Sequence, residues 1–320
     1  MLGALNLLTG FLLDFFLGDP GGRWHVVVGI GKLIEGLEKA LFPQERHFRR
    51  EFVLGFVVVV AMVGGLGVSY FFLRRFLRSY SLFLFSVVEV YLIFNFLSLR
   101  TLLRRGEEVR KALDEGDLPR ARKSLKHLVG RDTEYLSEWE VVRGCVESLA
   151  ESFNDGVMAP LFYISLFGAL GGLIYKTTNT LDSMLGYRDF RYFFFGFASA
   201  RFDDILNFLP ARLSILFIAC AASVLGRWGR SALSVAFRDA RKHESPNAGW
   251  PESAMAGALG VRLGGVNYYG GKREETAFLG DFVLDLTPER IGEALSIVRL
   301  GSFLALGFFT VISILVGRIW

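Results

Sequence analysis

The chain has 320 residues, is 52% hydrophobic and 14% aromatic, and has a mean hydropathy of +0.39, above the about 45–50% apolar content usual for soluble domains. Charged residues are only 21% of the chain, yet the net charge is +4, so basic groups cluster between apolar blocks and suit anionic headgroups or anionic substrates. Basic runs interleaved with stacking aromatics are missing, which excludes nucleic acid as a partner, and Cys145 and Cys220 fit neither a disulfide framework nor a zinc motif.

In chain order, Met1–Leu17 is apolar, contains Asp14 and is marginal in length, so it fits a span or a half-inserted helix equally. With no basic start and no small-residue cleavage site, it is not expected to be a signal peptide. Asp14 stands near the edge of this block, where a carboxylate is expensive unless partnered or wet. Gly18-Asp19-Pro20 is turn chemistry, and His25 follows closely. On the plainer reading Asp19 only shapes the turn and Asp14 caps or snorkels; the other reading gives Asp14 a partner or a watery cavity. Phe52–Leu73 runs 22 residues without a charge, enough to cross the hydrocarbon, and Arg49-Arg50-Glu51 and Arg74-Arg75 bracket it. Tyr80–Leu99 is a second expected span, interrupted only by Glu89 and Asn95.

Gly130-Arg131-Asp132-Thr133 leads into an expected helix, Ser137–Phe153. Its apolar Val142, Cys145, Val146, Leu149 and Phe153 follow helical spacing, while Glu140, Arg143, Glu147, Glu151 and Asn154 fall in one opposite stripe. That stripe suits a solvated face stitched by ion pairs. It equally suits carboxylates converging with Asp155 on Mg²⁺ and nucleotide phosphates.

Val157–Tyr175, with its glycine-rich FGALGG, reads as a span suited to close helix packing. Asn179-Thr180-Leu181-Asp182 and Arg201-Phe202-Asp203-Asp204 to Asn207 follow. Asp203 and Asn207, four apart, can share one helix face as oxygen ligands, which suit magnesium rather than zinc; capping plus an Arg201 ion pair explains the same residues. Ala211–Gly226 is the next expected span. His243-Glu244-Ser245-Pro246-Asn247-Ala248-Gly249-Trp250-Pro251-Glu252 makes a stiff loop, with Pro251 placed as the first residue of a helix. Gly257, Gly260, Gly264 and Gly265 allow close approach, and the absence of GxxxxGK[ST] excludes a Walker A loop. Ser302–Gly317 is the last expected span.

The reading is therefore all-α: residues 1–320 form a single polytopic integral membrane helical bundle with amphipathic cytoplasmic helices and loops. Alternating the spans after Leu17 gives stretches 18–51, 99–156 and 227–301 with 6, 11 and 10 basic residues on one side, against nine on the other. That imbalance expects the large loops in the cytoplasm of an inner-membrane protein. It also sends 176–210 to the far side, unless 157–175 or 190–197 is re-entrant, an arrangement tolerated where backbone lines a cavity.

In this order, LLDFFLGDP with a following His, GRDT, VESLAESFNDGVMAPLFY, NTLDSMLGY, SARFDDILNFLPAR and HESPNAGWPESAMAGALGVRLGG resemble the CbiB/CobD family of adenosylcobinamide-phosphate synthases. The resemblance covers about Leu12 to Gly265, and one departure is His25-Val26-Val27, where the family often has a proline. It implies ATP-dependent joining of adenosylcobyric acid to (R)-1-amino-2-propanol phosphate, with ATP and Mg²⁺ as cofactors. The lipid bilayer and other cobalamin-pathway enzymes would be the partners.

Matched residue by residue, the resemblance implies His243, Glu252, Asp182 and Arg201 for catalysis. It implies Asp14, His25, Arg131, Thr133, Asn154, Asn179, Arg212, Ser245, Asn247 and Trp250 for substrate binding, and Asp132, Glu147, Asp155, Asp203 and Asp204 for metal. The competing reading is a magnesium-dependent intramembrane prenyl or phosphoalcohol transferase, which would also carry Asp/Asn pairs. A transporter would need charges in mid-span, where Glu89 is almost by itself.

Overall fold

The computed structural model describes residues 1–21, 25–43, 45, 47–186 and 190–317. It is helical throughout except for one small hairpin, and the chain divides into two compact units: Met1–Ser98, Ala159–Leu206 and Leu306–Trp320; and Leu99–Met158 with Asn207–Ala305.

Among the described residues, four helical stretches are long and apolar enough to cross a membrane: Phe48–Tyr80, Leu82–Asp114, Phe197–Val224 and Pro288–Val316. They overlap the expected spans at 52–73, 80–99, 211–226 and 302–317 and run past each at one end or both, because hydropathy marks only the lipid-facing part of a helix that polar residues continue. The Phe197–Val224 helix also runs through Pro210 instead of starting after it.

In the first unit, α1 (Leu2–Leu17) packs against α5 (Leu82–Phe96). The pair is close because Gly10 has no side chain; a Cβ there would meet Ile93 Cγ2 at 2.4 Å. At about 24 Å, sixteen residues fall short of the ~30 Å hydrocarbon core. His25 N-caps α2 (Val26–Leu41), accepting from Val27 N–H. The Val26 N–H donates to Asn95 Oδ1 at 3.0 Å, a bond that a proline nitrogen there could not make. Next, α3 (Phe48–Val59), a π-helical turn and α4 (Gly65–Tyr80) form the first long span.

The expected span at 157–175 is not a single helix. It is α9 (Ala159–Phe167) and the first two turns of α10 (Ala169–Leu185), folded into a hairpin at Gly168, whose φ of 67° favours glycine. Nine residues rise only about 13 Å, under half the hydrocarbon thickness. The glycines predicted to allow close packing do so, since a Cβ on Gly171 would lie 2.3 Å from the Tyr163 carbonyl oxygen. Tyr163 and Tyr175 stack with centroids 5.5 Å apart, so the returning helix brings Asn179 back to the level of Ala159.

The second unit holds α6 (Leu99–Asp114), α7 (Leu118–Leu125), α8 (Glu138–Phe153), α12 (Gly229–Asp239) and α13 (Gly249–Leu259). It also takes the second half of α11 (Phe197–Val224) and most of α14 (Pro288–Val316). Helix α8 starts where Ser137 and Glu140 form a capping box, and both its faces are buried. Helix α13 begins two residues before Pro251, which sits in the first turn where its missing N–H costs nothing. A Cβ on Gly257 would meet the Ser231 carbonyl at 2.5 Å, so α12 and α13 touch backbone to backbone.

The all-α reading omits an antiparallel hairpin, β1 (Leu263–Tyr269) and β2 (Lys272–Leu279), turned at Gly270-Gly271 with both φ positive. This is the turn chemistry of a two-residue hairpin. Asp239, 1% exposed, ties the end of this hairpin to α12: its carboxylate accepts from Arg238, Lys242 and the Gly280 N–H. Burial by itself would raise its pKa, but those hydrogen bonds outweigh burial and hold it far below the usual carboxylate range. A depressed folded pKa contributes stability above the unfolded pKa that is lost as pH falls through the folded value. Asp239→Asn should therefore cost ~2 kcal/mol at neutral pH and close to nothing in strong acid, measured by thermal unfolding across pH.

Candidate active site

The densest group of predicted residues lies in the second unit, around α8 and the start of α13. Arg131 donates to Glu147 Oε2 and to Asn267 Oδ1 (2.7 Å), and Glu147 Oε1 accepts the Gly264 N–H at 2.8 Å. Arg143, 2% exposed, donates to the carbonyls of Gly264 and Val266 and to Asn267 Oδ1. The middle of the polar stripe of α8, Arg143 and Glu147, is thus not a solvated face but a buried network joining the helix to β1, while Glu151 stays exposed. Burial opposes the charge on Arg131, yet Glu147 holds its pKa above the ordinary guanidinium value. For Arg143 burial prevails, and its pKa is lowered.

Glu252, in the first turn of α13, is buried beside this network. Burial first, then the negative charges of Glu147 and Glu151, push its carboxyl well above the usual carboxylate range against the pull of Arg131. His243 Nε2 stands 3.7 Å from Glu252 Oε2. Its Nδ1 accepts the Ser245 N–H at 2.9 Å, so the neutral ring carries its proton on Nε2, facing Glu252. The Ser245 hydroxyl caps the loop by accepting from Asn247 and Ala248 N–H groups. Arg212 donates to Asn247 Oδ1 (2.7 Å) and Pro246 O (3.1 Å), and its guanidinium lies over the rings of Phe208 and Trp250 at 3.8 and 4.8 Å. The rigid loop is thereby explained: it is tied to Arg212 and fixes His243, Asn247 and Trp250 beside the start of α13, which carries Glu252.

Asp132 and Glu147 do not fit a metal. Asp132 accepts the Gly270 and Gly271 N–H groups of the hairpin turn, and Glu147 is used by Arg131 and the Gly264 N–H. Thr133 is buried under the same turn, where its carbonyl accepts from Leu136. Asn154, on a π-helical turn, donates to Asp155 Oδ1 (2.8 Å) and Asn207 Oδ1 (2.9 Å), and its own buried Oδ1 has no hydrogen-bond partner. That set of oxygens suits a hard cation completed by phosphate and water. Among the described residues, no three His, Cys, Asp or Glu side chains converge on a metal-sized point.

The remaining predicted residues lie in the first unit. Asp14 is fully buried in α1, and His25 Nε2 is 3.6 Å from Asp19. Asn179 accepts from Lys176 at 3.3 Å, and Asp182 sits half-buried in the last turn of α10. Arg201 is exposed and pairs with Asp204 at 3.2 Å, while Asp203 is buried beside it. Tyr163 of α9 donates to the Leu206 carbonyl at 2.8 Å, holding this stretch of α11 against the hairpin. Sequence reasoning missed Asn267, which joins both arginines; a lone polar residue in a strand carries no signal of its own. It also assigned no role to Asp239, noted Glu89 only as a mid-span charge, and placed Arg143 only in the polar stripe of α8.

Residues 7–298 match the CobD/CbiB protein family. Curated relatives include proteins named cobalamin biosynthesis protein CobD from Geobacter metallireducens (47% identical, 86% of each chain covered) and Clostridium perfringens (37%, 94% of this chain and 95% of that one). One named cobalamin biosynthesis protein CbiB, from Salmonella paratyphi B, is 40% identical over 93% of this chain and 94% of its own. No solved structure matches the chain. The chain belongs to the CobD/CbiB family.

Proposed function

We propose that this membrane protein acts in cobalamin biosynthesis as an adenosylcobinamide-phosphate synthase, joining adenosylcobyric acid to (R)-1-amino-2-propanol phosphate with hydrolysis of ATP. The observation that carries the reading is a buried carboxyl, Glu252, that faces His243 across 3.7 Å and whose pKa is raised by burial and by Glu147 and Glu151. Amide formation from an ammonium needs a base near neutral pH, and a carboxylate raised by burial meets that need where an ordinary one does not. Glu252 takes the proton released as nitrogen attacks the activated propionate carbon, while the His243 Nε2–H that faces it steadies the carboxylate. Arg131 and Arg212 bind phosphate or corrinoid carboxylate oxygens, and Asn247 and Trp250 orient the substrate.

Asn154, Asp155 and Asn207 supply the oxygens for Mg²⁺, which when bound neutralises phosphate charge. Asn179, Asp182, Asp203 and Asp204 of the first unit keep the substrate, catalytic and metal roles that the family resemblance implies. On this reading the second unit's loops face the cytoplasm, where ATP is available.

The test is to incubate purified protein with adenosylcobyric acid, aminopropanol phosphate, ATP and Mg²⁺, beside a parallel arm with an isoprenyl diphosphate pair. ATP-dependent adenosylcobinamide phosphate is the expected product. Turnover in the isoprenyl arm with none in the first overturns the proposal.

A further inference from the structure

Glu89 is a charge in the middle of a span, an expensive position that calls for a partner and a reason. It is 2% exposed and fully engaged: one oxygen accepts from the Tyr70 hydroxyl (2.9 Å), and the other from the Ala169 N–H (3.0 Å). Arg74 Nε lies 3.4 Å from the same carboxylate, and Arg74 Nη1 donates to the Phe167 carbonyl at 3.2 Å. Phe167 ends α9 and Ala169 starts α10. One ion pair therefore satisfies both sides of the turn, with the anion at a helix N-terminus and the cation at a helix C-terminus, each matching the local dipole. The turn stands level with Arg74, at the end of the charge-free run Phe52–Leu73, and its helix-terminal N–H and carbonyl groups need partners there. The site also has no spare room, because a Cβ on Gly168 would lie 3.0 Å from Glu89 Oε2.

We propose that Glu89, acting with Arg74, is a positioning residue: it pins the tip of the α9–α10 hairpin and so sets where Asn179 and Asp182 stand. The link to catalysis rests on the synthase reading; the link to hairpin placement does not. No part of α10 beyond its first turn touches Glu89, so the effect on Asp182 travels along the helix, stiffened by the stacked Tyr163–Tyr175 pair.

The experiment uses the full chain with Ser183→Cys as a reporter in a Cys220→Ser background. Labelling by a membrane-impermeant maleimide is measured from each side of sealed vesicles, together with kcat and KM. Glu89→Ala should change the labelling rate at position 183 about tenfold and lower kcat ~10–100-fold with little change in the KM for ATP. Glu89→Gln keeps an acceptor oxygen for Ala169 and should restore both. If Glu89→Ala fails to insert, Arg74→Met gives the same readout, since it frees the Phe167 carbonyl but leaves Glu89 on Ala169. Wild-type labelling in whichever of these variants inserts overturns the proposal. Altered labelling in a protein without synthase activity upholds it while overturning the reaction.

Discussion

Glutamine in place of Glu252 lowers the rate of amide formation by ~10²–10⁴-fold and leaves a folded protein, because it removes the base but keeps the shape and burial of the side chain. The pH–rate profile carries the sharper signature. Glu252 must lose its proton to act, so the wild-type rate climbs only as pH passes its raised pKa, above the ~4.3 of an ordinary glutamate. Arg131→Gln removes the one cation that opposes the shift, so the acid limb should move to still higher pH. Stability gives an independent check. A folded pKa above the unfolded one contributes stability that is full below the unfolded pKa and is lost as pH rises through the folded one. Glu252→Gln should therefore flatten the stability–pH curve in that window and leave the protein more stable at neutral pH. An acid limb at the ordinary carboxylate position would remove Glu252 as the base.

Arg143→Leu should destabilise the second unit by ~3–5 kcal/mol, the largest effect expected of any single change in the network. The substitution strips donors from Gly264 O, Val266 O and Asn267 Oδ1 at once, and leaves Glu147 with Arg131 as its one cation. Urea unfolding followed by proteolysis of the β-hairpin would measure it. Arg131→Leu, at the partly accessible end of the same network, should cost less stability and more activity. Equal stability losses in the two variants would show that the arginines do not divide structural and substrate-binding work.

Much of this was open to reading. The uncharged run at Phe52–Leu73 states its own location, since a segment that long has few homes outside lipid. Ser137 and Glu140 announced the start of α8 within one residue. The Gly270-Gly271 pair between residues of high strand propensity was also legible and was passed over, because the surrounding hydropathy argued for helices. At Gly168 the reverse applied: the block 157–175 has the hydropathy of a span, and only the close contact of Gly171 with Tyr163 shows that the chain turns back. The carboxylates Asp132 and Glu147 looked like metal ligands by residue type, yet hairpin N–H groups and a guanidinium already occupy them.

By itself the sequence determined the membrane class, the helix starts and the residues worth watching, because hydropathy and capping act within one helix or one turn. Tertiary structure decided which of those residues meet: Arg131 with Asn267, 136 positions away, and Glu89 with Ala169, 80 positions away. The same holds for the proton affinity of Glu252, which depends on burial and on charges brought in from α8. Desolvation and charge pairing depend on distance in space, and no local pattern of residues encodes that distance.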